Sequence, residues 1–169
     1  MASAIKMADP RDDEFLASLE SKSQRPNHFL RTMARRPEVL KTFVPFYATV
    51  VGPGSVERRI KELVYLTCSF ANECAYCSHA HTGSGKKAGI TDEELRALRT
   101  EQDHVFSEPE RAAIRYARDL TREADADDEN RDALFQHFND EQIVEITLVA
   151  AMANFTNRFN NGLQILPES

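Results

Sequence analysis

Two stretches of the chain, Leu63 to Ala71 and Ile143 to Phe155, are apolar or small at nearly every position, with Glu145 the one charged residue in the second. A helix patterned like that has no face suited to water and is buried on most sides. Nowhere does the sequence show the apolar–polar alternation of a half-buried strand. Six glycines in 169 residues are few, while Ala, Leu, Glu and Arg are plentiful, a balance that favours helices over a turn-rich β fold. The expectation is an all-α, single-domain helical bundle, long enough to bury a real core. Two helices apolar all round are more than such a monomer readily hides. Part of that surface is therefore expected against other subunits, although a central core helix carries the same signature.

Punctuation residues divide the chain further. Residues 1–25 are polar and weakly patterned and read as a loosely ordered N-terminal arm, with Phe15, Leu16 and Leu19 offering one amphipathic turn. Residues 26–169 form the helical domain. A short helix is expected from Phe29 to Met33, and Pro37 suits the first turn of the next, where its missing N–H has no partner anyway. Pro45 should kink or interrupt that helix. Gly52-Pro53-Gly54 breaks the chain. Ser55 is the expected N-cap of a helix running to Ala71, and Asn72 that of the following helix, which Gly89 should stop. Thr91 to Glu94, Ser107 to Glu110 and Asn139 to Gln142 have the spacing of capping boxes. Between the last two, a short helix is expected from Asp132 to Phe138.

The net charge of −6 makes non-specific nucleic-acid binding a poor reading, because that needs basic surface to neutralise phosphates. Arg35-Arg36 and Arg58-Arg59 are short basic spots on solvated faces. No apolar run reaches the ~18 residues of a membrane-spanning helix, and Met1 to Arg25 lacks the apolar core of a signal peptide. A cytoplasmic protein is the default expectation. Thiols there are normally reduced, so a CxxC pair is catalytic or metal-binding rather than a structural staple. Cys68, an odd third cysteine, points the same way.

The chemistry concentrates between Glu62 and His81. Cys74-Ala75-Tyr76-Cys77 is followed after three residues by His81 and preceded by Glu62. Cysteines three apart share one helical face, and near a helix N-terminus the dipole and free N–H groups favour the thiolate. His81, one turn beyond Cys77, can lie beside that thiol and move its proton. Glu62 is either exposed, like Glu57, or buried and paired with His81 across a helix hairpin, which would orient the imidazole. Tyr76 can wall the pocket or join the proton path. Cys68 reads as an inert core thiol, and His28, His79, His104 and His137 as surface residues. Asn154, Asn157, Arg158, Asn160 and Asn161 line the pocket or an interface, or simply end a helix, the last being the simpler explanation.

The run from Glu62 to His81 resembles the carboxymuconolactone decarboxylase superfamily, and within it the alkylhydroperoxidase-D-like branch. That signature is a glutamate, eleven intervening residues, CxxC, three residues and a histidine, and all four positions match. The segments from Phe106 to Glu110, from Asp140 to Glu145 and from Asn157 to Asn161 are similar to the peroxidase-related members. The resemblance implies an all-helical fold assembled as trimers or hexamers, and reduction of a small-molecule hydroperoxide without haem, flavin, metal or other cofactor. It implies that Cys77 attacks, that Cys74 resolves, that Glu62 and His81 relay protons, and that a dithiol reductant resets the pair. Where the family's best-known peroxidase has histidine before the second cysteine, this chain has Tyr76.

Two other readings stay open. The decarboxylase branch is a cofactor-free lyase acting on a lactone acid, chemistry that does not use the cysteines. A zinc-holding or redox-sensing oligomer would use Cys74, Cys77, His81 and either Glu62 or His79 as ligands, although only one cysteine knuckle is present where structural zinc usually takes two.

Overall fold

Side-chain caps set most of the helix boundaries in the computed structural model, which describes residues 3–168. Nine α-helices follow one another among these residues: α1 (Glu14–Ser23), α2 (His28–Met33), α3 (Pro37–Val51), α4 (Arg58–Ala71), α5 (Ala75–Lys87), α6 (Asp92–Thr100), α7 (Glu108–Glu123), α8 (Asp128–His137) and α9 (Asp140–Gly162). No strand occurs among them, so the fold is all-α. Thr91 and Asn139 close capping boxes with Glu94 and Gln142, and at Ser107 the Glu110 carboxylate accepts from both the backbone N–H and the hydroxyl, satisfying N–H groups that the first turn leaves without partners. Gly89, at φ +87°, follows the end of α5 in the left-handed conformation that glycine adopts without strain. No helix is long and apolar enough to cross a membrane among the described residues.

The centre of the bundle is α4, packed against α5, α6, α7 and α9. Every residue from Lys61 to Ser69 is buried, as the run of apolar and small residues requires. Lys61 fits because its ammonium pairs with Glu145 and donates to the carbonyl of Gly52 at 2.6 Å. Glu145, the charge that interrupts the apolar run of α9, also accepts from Ser55 N and Oγ at 2.8 and 2.7 Å. Gly54 lies so close that a Cβ there would collide with the Glu145 carboxylate. One carboxylate thus ties the 52–56 turn, α4 and α9 together.

Several boundaries differ from the sequence expectations. Ser55 does not cap α4; its groups are taken by Glu145, and the helix begins three residues later with Glu57 at the N-cap and no side-chain cap bond. Pro45 does not interrupt α3; it lies on the exposed side while Phe43 and Val50 hold the helix to the core. The short helix expected from Asp132 starts earlier, capped by Asp127. Of the arm expected at residues 1–25, residues 1–2 lie outside the described residues, and the rest contains a 3-10 turn (Pro10–Asp12) and α1. The anticipated amphipathic turn seats Leu16 fully in the core, and Arg31 pairs with Glu20 of α1 at 2.7 Å. At the other face of the bundle α9 leaves Val144, Leu148 and Phe155 exposed, and α3 leaves Phe46 exposed.

Candidate active site

The turn between α4 and α5 places the two cysteines. Asn72 ends α4 rather than opening α5. Glu73 follows at φ +51°, and the Cys74 N–H reaches back to Ser69 O at 2.8 Å. Cys74 is therefore itself the N-cap of α5, its sulfur accepting from Cys77 N at 3.3 Å. A thiol sulfur can fill this position as the oxygens of Ser or Asp usually do, because its lone pair accepts the N–H that the first turn leaves free. The sulfurs of Cys74 and Cys77 lie 2.7 Å apart, and both side chains are buried.

Asparagines of α9 complete the thiol environment. Asn160 Nδ2 donates to Cys77 Sγ at 3.2 Å. Asn154 and Asn157 both accept from Asn72 Nδ2 at 2.9 Å, and Asn161 Nδ2 donates to Asn72 O at 2.8 Å. Asn160 and Asn161 do lie in the last turn of α9, which ends at Gly162, but Asn157 and Asn160 are also buried. The hydrogen bond from the Cys74 thiol lowers Cys77 to about 7; burial opposes this, and Asn157, Asn160 and Thr156 assist it. The Cys74 thiol moves the other way, raised by the bond it makes to Cys77 and by burial. Cys68, in the last turn of α4, is pushed up to about 11 by burial, in keeping with an inert core thiol.

Glu62 and His81 meet across the hairpin of α4 and α5. Glu62 Oε2 lies 2.9 Å from His81 Nδ1 and accepts from Ser84 Oγ at 2.8 Å, so the carboxylate is buried and paired. The imidazole is clamped twice more. The Tyr65 ring stacks on it with centroids 3.6 Å apart and planes at 14°, and Tyr47 OH lies 3.1 Å from Nε2. No hydrogen bond joins His81 to Cys77 among the described residues, because the tyrosine occupies the imidazole nitrogen and Asn160 the sulfur. Instead Cys77 and His81 line the same cavity, of ≈ 280 Å³, whose walls include Phe29, Phe43, Tyr47 and Tyr76. Neither Tyr47 nor Tyr65 stands out in the sequence, since each sits in an apolar helical stripe and reads as core. Only the three-dimensional crossing of α3, α4 and α5 brings their hydroxyls to the site.

The Tyr76 ring walls the cavity, but its hydroxyl faces away from the relay, donating to Glu168 Oε1 at 2.9 Å and Asn27 Oδ1 at 3.2 Å. His28, expected on the surface, is half-buried with its Nδ1 2.9 Å from Leu166 O. His79, His104 and His137 are exposed. No three His, Cys, Asp or Glu side chains converge as metal ligands among the described residues; Glu62 and His81 face each other, and the Cys77 sulfur faces Asn160.

Residues 37–119 match the carboxymuconolactone decarboxylase family. A Bacillus subtilis relative, the uncharacterized protein YdfG, is 28% identical over 109 residues, 63% of this chain and 74% of that protein. Among solved structures, an uncharacterized peroxidase-related protein from Ralstonia eutropha JMP134, described as an alkylhydroperoxidase AhpD core, superposes with a TM-score of 0.86 at 19% identity. That match covers 100% of this chain and 94% of the other. A variant of the debrominase Bmp8 in complex with 2,3,4-tribromopyrrole superposes with a TM-score of 0.81 at 19% identity, covering 100% of this chain and 92% of its own. Just under half of the chain, residues 37–119, thus matches the carboxymuconolactone decarboxylase family, and its helices have the arrangement of the alkylhydroperoxidase AhpD core.

Proposed function

We propose that this protein reduces organic hydroperoxides through a Cys74–Cys77 disulfide cycle. The observation that carries the reading is the pair of sulfurs 2.7 Å apart at the start of α5, with Cys77 opening on a cavity that also holds His81. Cys77 gives up its proton and its thiolate attacks the terminal oxygen of R–O–OH. The O–O bond breaks, Cys77 becomes a sulfenic acid, and the alkoxide leaves as the alcohol once protonated. The Cys74 sulfur, already in contact, displaces water from the sulfenic acid, and the disulfide forms. An external dithiol returns two electrons and two protons. Cys77 is the attacking sulfur because it faces the cavity, whereas Cys74 is turned into the helix cap.

Among the described residues the cavity is lined mainly by aromatic and aliphatic side chains, with Asn27, Thr156 and Asn160 beside Cys77 and His81, and by no lysine or arginine. It suits a neutral apolar hydroperoxide and offers no counter-charge to a lactone acid, which weighs against the decarboxylase reading. His81 carries the proton, and the Glu62 carboxylate at its Nδ1 orients the ring and stabilises the imidazolium. The test is mass spectrometry after one equivalent of cumene hydroperoxide. A Cys74–Cys77 disulfide with Cys68 still reduced is expected, and unreacted thiols with the peroxide intact would refute the reading.

The exposed stripe of Val144, Leu148 and Phe155 on α9, with Phe46 of α3 also exposed, supports assembly of the chain as a homo-oligomer, a trimer or a hexamer. Light scattering after size exclusion measures this directly, and a monomer would contradict it.

A further inference from the structure

Three tyrosines line the cavity that holds Cys77, and their hydroxyls are differently engaged. Tyr65 OH is 2.5 Å from Thr156 Oγ1, and Tyr76 OH is held by Glu168 and Asn27. Tyr47 OH has His81 Nε2 as its hydrogen-bond partner, at 3.1 Å. On the far side of His81, Nδ1 meets the Glu62 carboxylate at 2.9 Å. The same Tyr47 and His81 also border a second, larger cavity of ≈ 700 Å³, lined by Glu57, Arg58, Glu62 and Ser84. Tyr47 and His81 thus stand between the chamber containing the reactive sulfur and a second one that carries the charged side chains of Glu57, Arg58 and Glu62.

We propose that Tyr47 is the general acid that protonates the departing alkoxide. This rests on the hydroperoxide-reducing reading. The thiol proton of Cys77 passes through a cavity water to the Tyr47 oxygen as the Tyr47 hydroxyl proton moves to His81 Nε2, and His81 becomes an imidazolium whose Nε2–H donates to the Tyr47 oxygen. The phenolic O–H is then free to point into the cavity. As the O–O bond breaks, Tyr47 passes its proton to RO⁻ and takes one from His81 Nε2. The proton that left Cys77 thereby ends on the alcohol, and Glu62 remains a carboxylate. Burial pushes the Tyr47 hydroxyl up to about 12, so it stays protonated at neutral pH yet remains a stronger acid than an alkyl alcohol. No hydrogen bond from His81 to Cys77 offers a shorter route among the described residues.

The test compares Tyr47→Phe with wild type on two aryl peroxides of similar size at pH 6, following oxidation of Cys77 in a single turnover. Cumene hydroperoxide releases a basic alkoxide that needs a proton, whereas peroxybenzoic acid releases benzoate, which does not. With cumene hydroperoxide the variant should lose roughly 100-fold in rate, the usual worth of a general acid. With peroxybenzoic acid it should stay within about threefold of wild type, since no proton transfer is missing there. The thiolate absorbance of Cys77 near 240 nm, followed against pH, should be unmoved, showing that the sulfur's surroundings are intact. Equal losses with both peroxides would reduce Tyr47 to a packing role, and no loss with either would put the proton donor elsewhere; each outcome overturns the inference. Wild-type protein inert to cumene hydroperoxide would instead sink the peroxidase reading on which it stands.

Discussion

Asn160 Nδ2 lies 3.2 Å from the sulfur of Cys77, the two joined across 83 positions of sequence. The amide donates to a sulfur that the Cys74 thiol also bonds, so it stabilises the thiolate more than the thiol. Its own Oδ1 is buried without a partner. Truncation therefore removes a favourable bond and an unsatisfied carbonyl together, and the fold should survive it. Asn160→Ala should raise the Cys77 midpoint by about 1 pH unit, the worth of one hydrogen bond to a charged group. Thiolate absorbance against pH measures this, and an unchanged midpoint would show that Asn160 does not support the anion.

The rate of Cys77 oxidation should follow the same ionisation. Its thiol is lowered to about 7 from an ordinary value of 9.0 by the bond from Cys74. Below that midpoint the sulfur is protonated and a poor nucleophile; above it the thiolate fraction saturates. The second-order rate constant with cumene hydroperoxide should therefore rise between pH 6 and pH 8 and then level, within roughly a unit of the stated midpoint. A rise continuing past pH 9 would mean an unperturbed thiol, and with it no working contact from Cys74.

What could be read from the chain alone follows the range of each interaction. Capping boxes at Thr91, Ser107 and Asn139 are local grammar, and the helices start where that grammar says. The spacing of Glu62, Cys74, Cys77 and His81 is local to one hairpin, and the pairing of Glu62 with His81 was one of two readings that it allowed. Ser55 misled because its cap-like oxygen is taken by Glu145, ninety residues away. Asn72 misled because a cysteine, a residue seldom considered as a cap, does that work two positions later. Tyr47 could not be picked out at all, and Asn160 only as one of several asparagines with a simpler helix-end explanation: their neighbours in the site come from other helices.

The two sulfurs should behave differently when separated. With Cys74→Ser, Cys77 can still be oxidised but has no neighbouring thiol to condense with, so a sulfenic acid should persist long enough for a dimedone-type probe to label it. With Cys77→Ser, turnover should be lost, because Cys74 is buried in the helix cap and raised in pKa by its bond to Cys77 and by burial. Labelling of Cys74 in the second variant, at a rate like that of wild-type oxidation, would reverse the assignment of attacker and resolver.

Glu145 offers a test of the scaffold apart from the chemistry. Its carboxylate is the anionic partner of Lys61, whose side chain is 5% exposed, and it also accepts from the backbone and hydroxyl of Ser55. Removing it by Glu145→Ala leaves a buried ammonium with carbonyl partners but no counter-ion. Breaking a buried pair in this way costs about 3–5 kcal/mol, because the remaining charge stays desolvated. Replacing both partners, as in the double variant Lys61→Met, Glu145→Leu, removes the stranded charge and should recover a large part of that loss. Urea unfolding of the two variants measures the difference. A double variant as unstable as the single one would show that the carboxylate matters through its bonds to Ser55 and the 52–56 turn, rather than through Lys61.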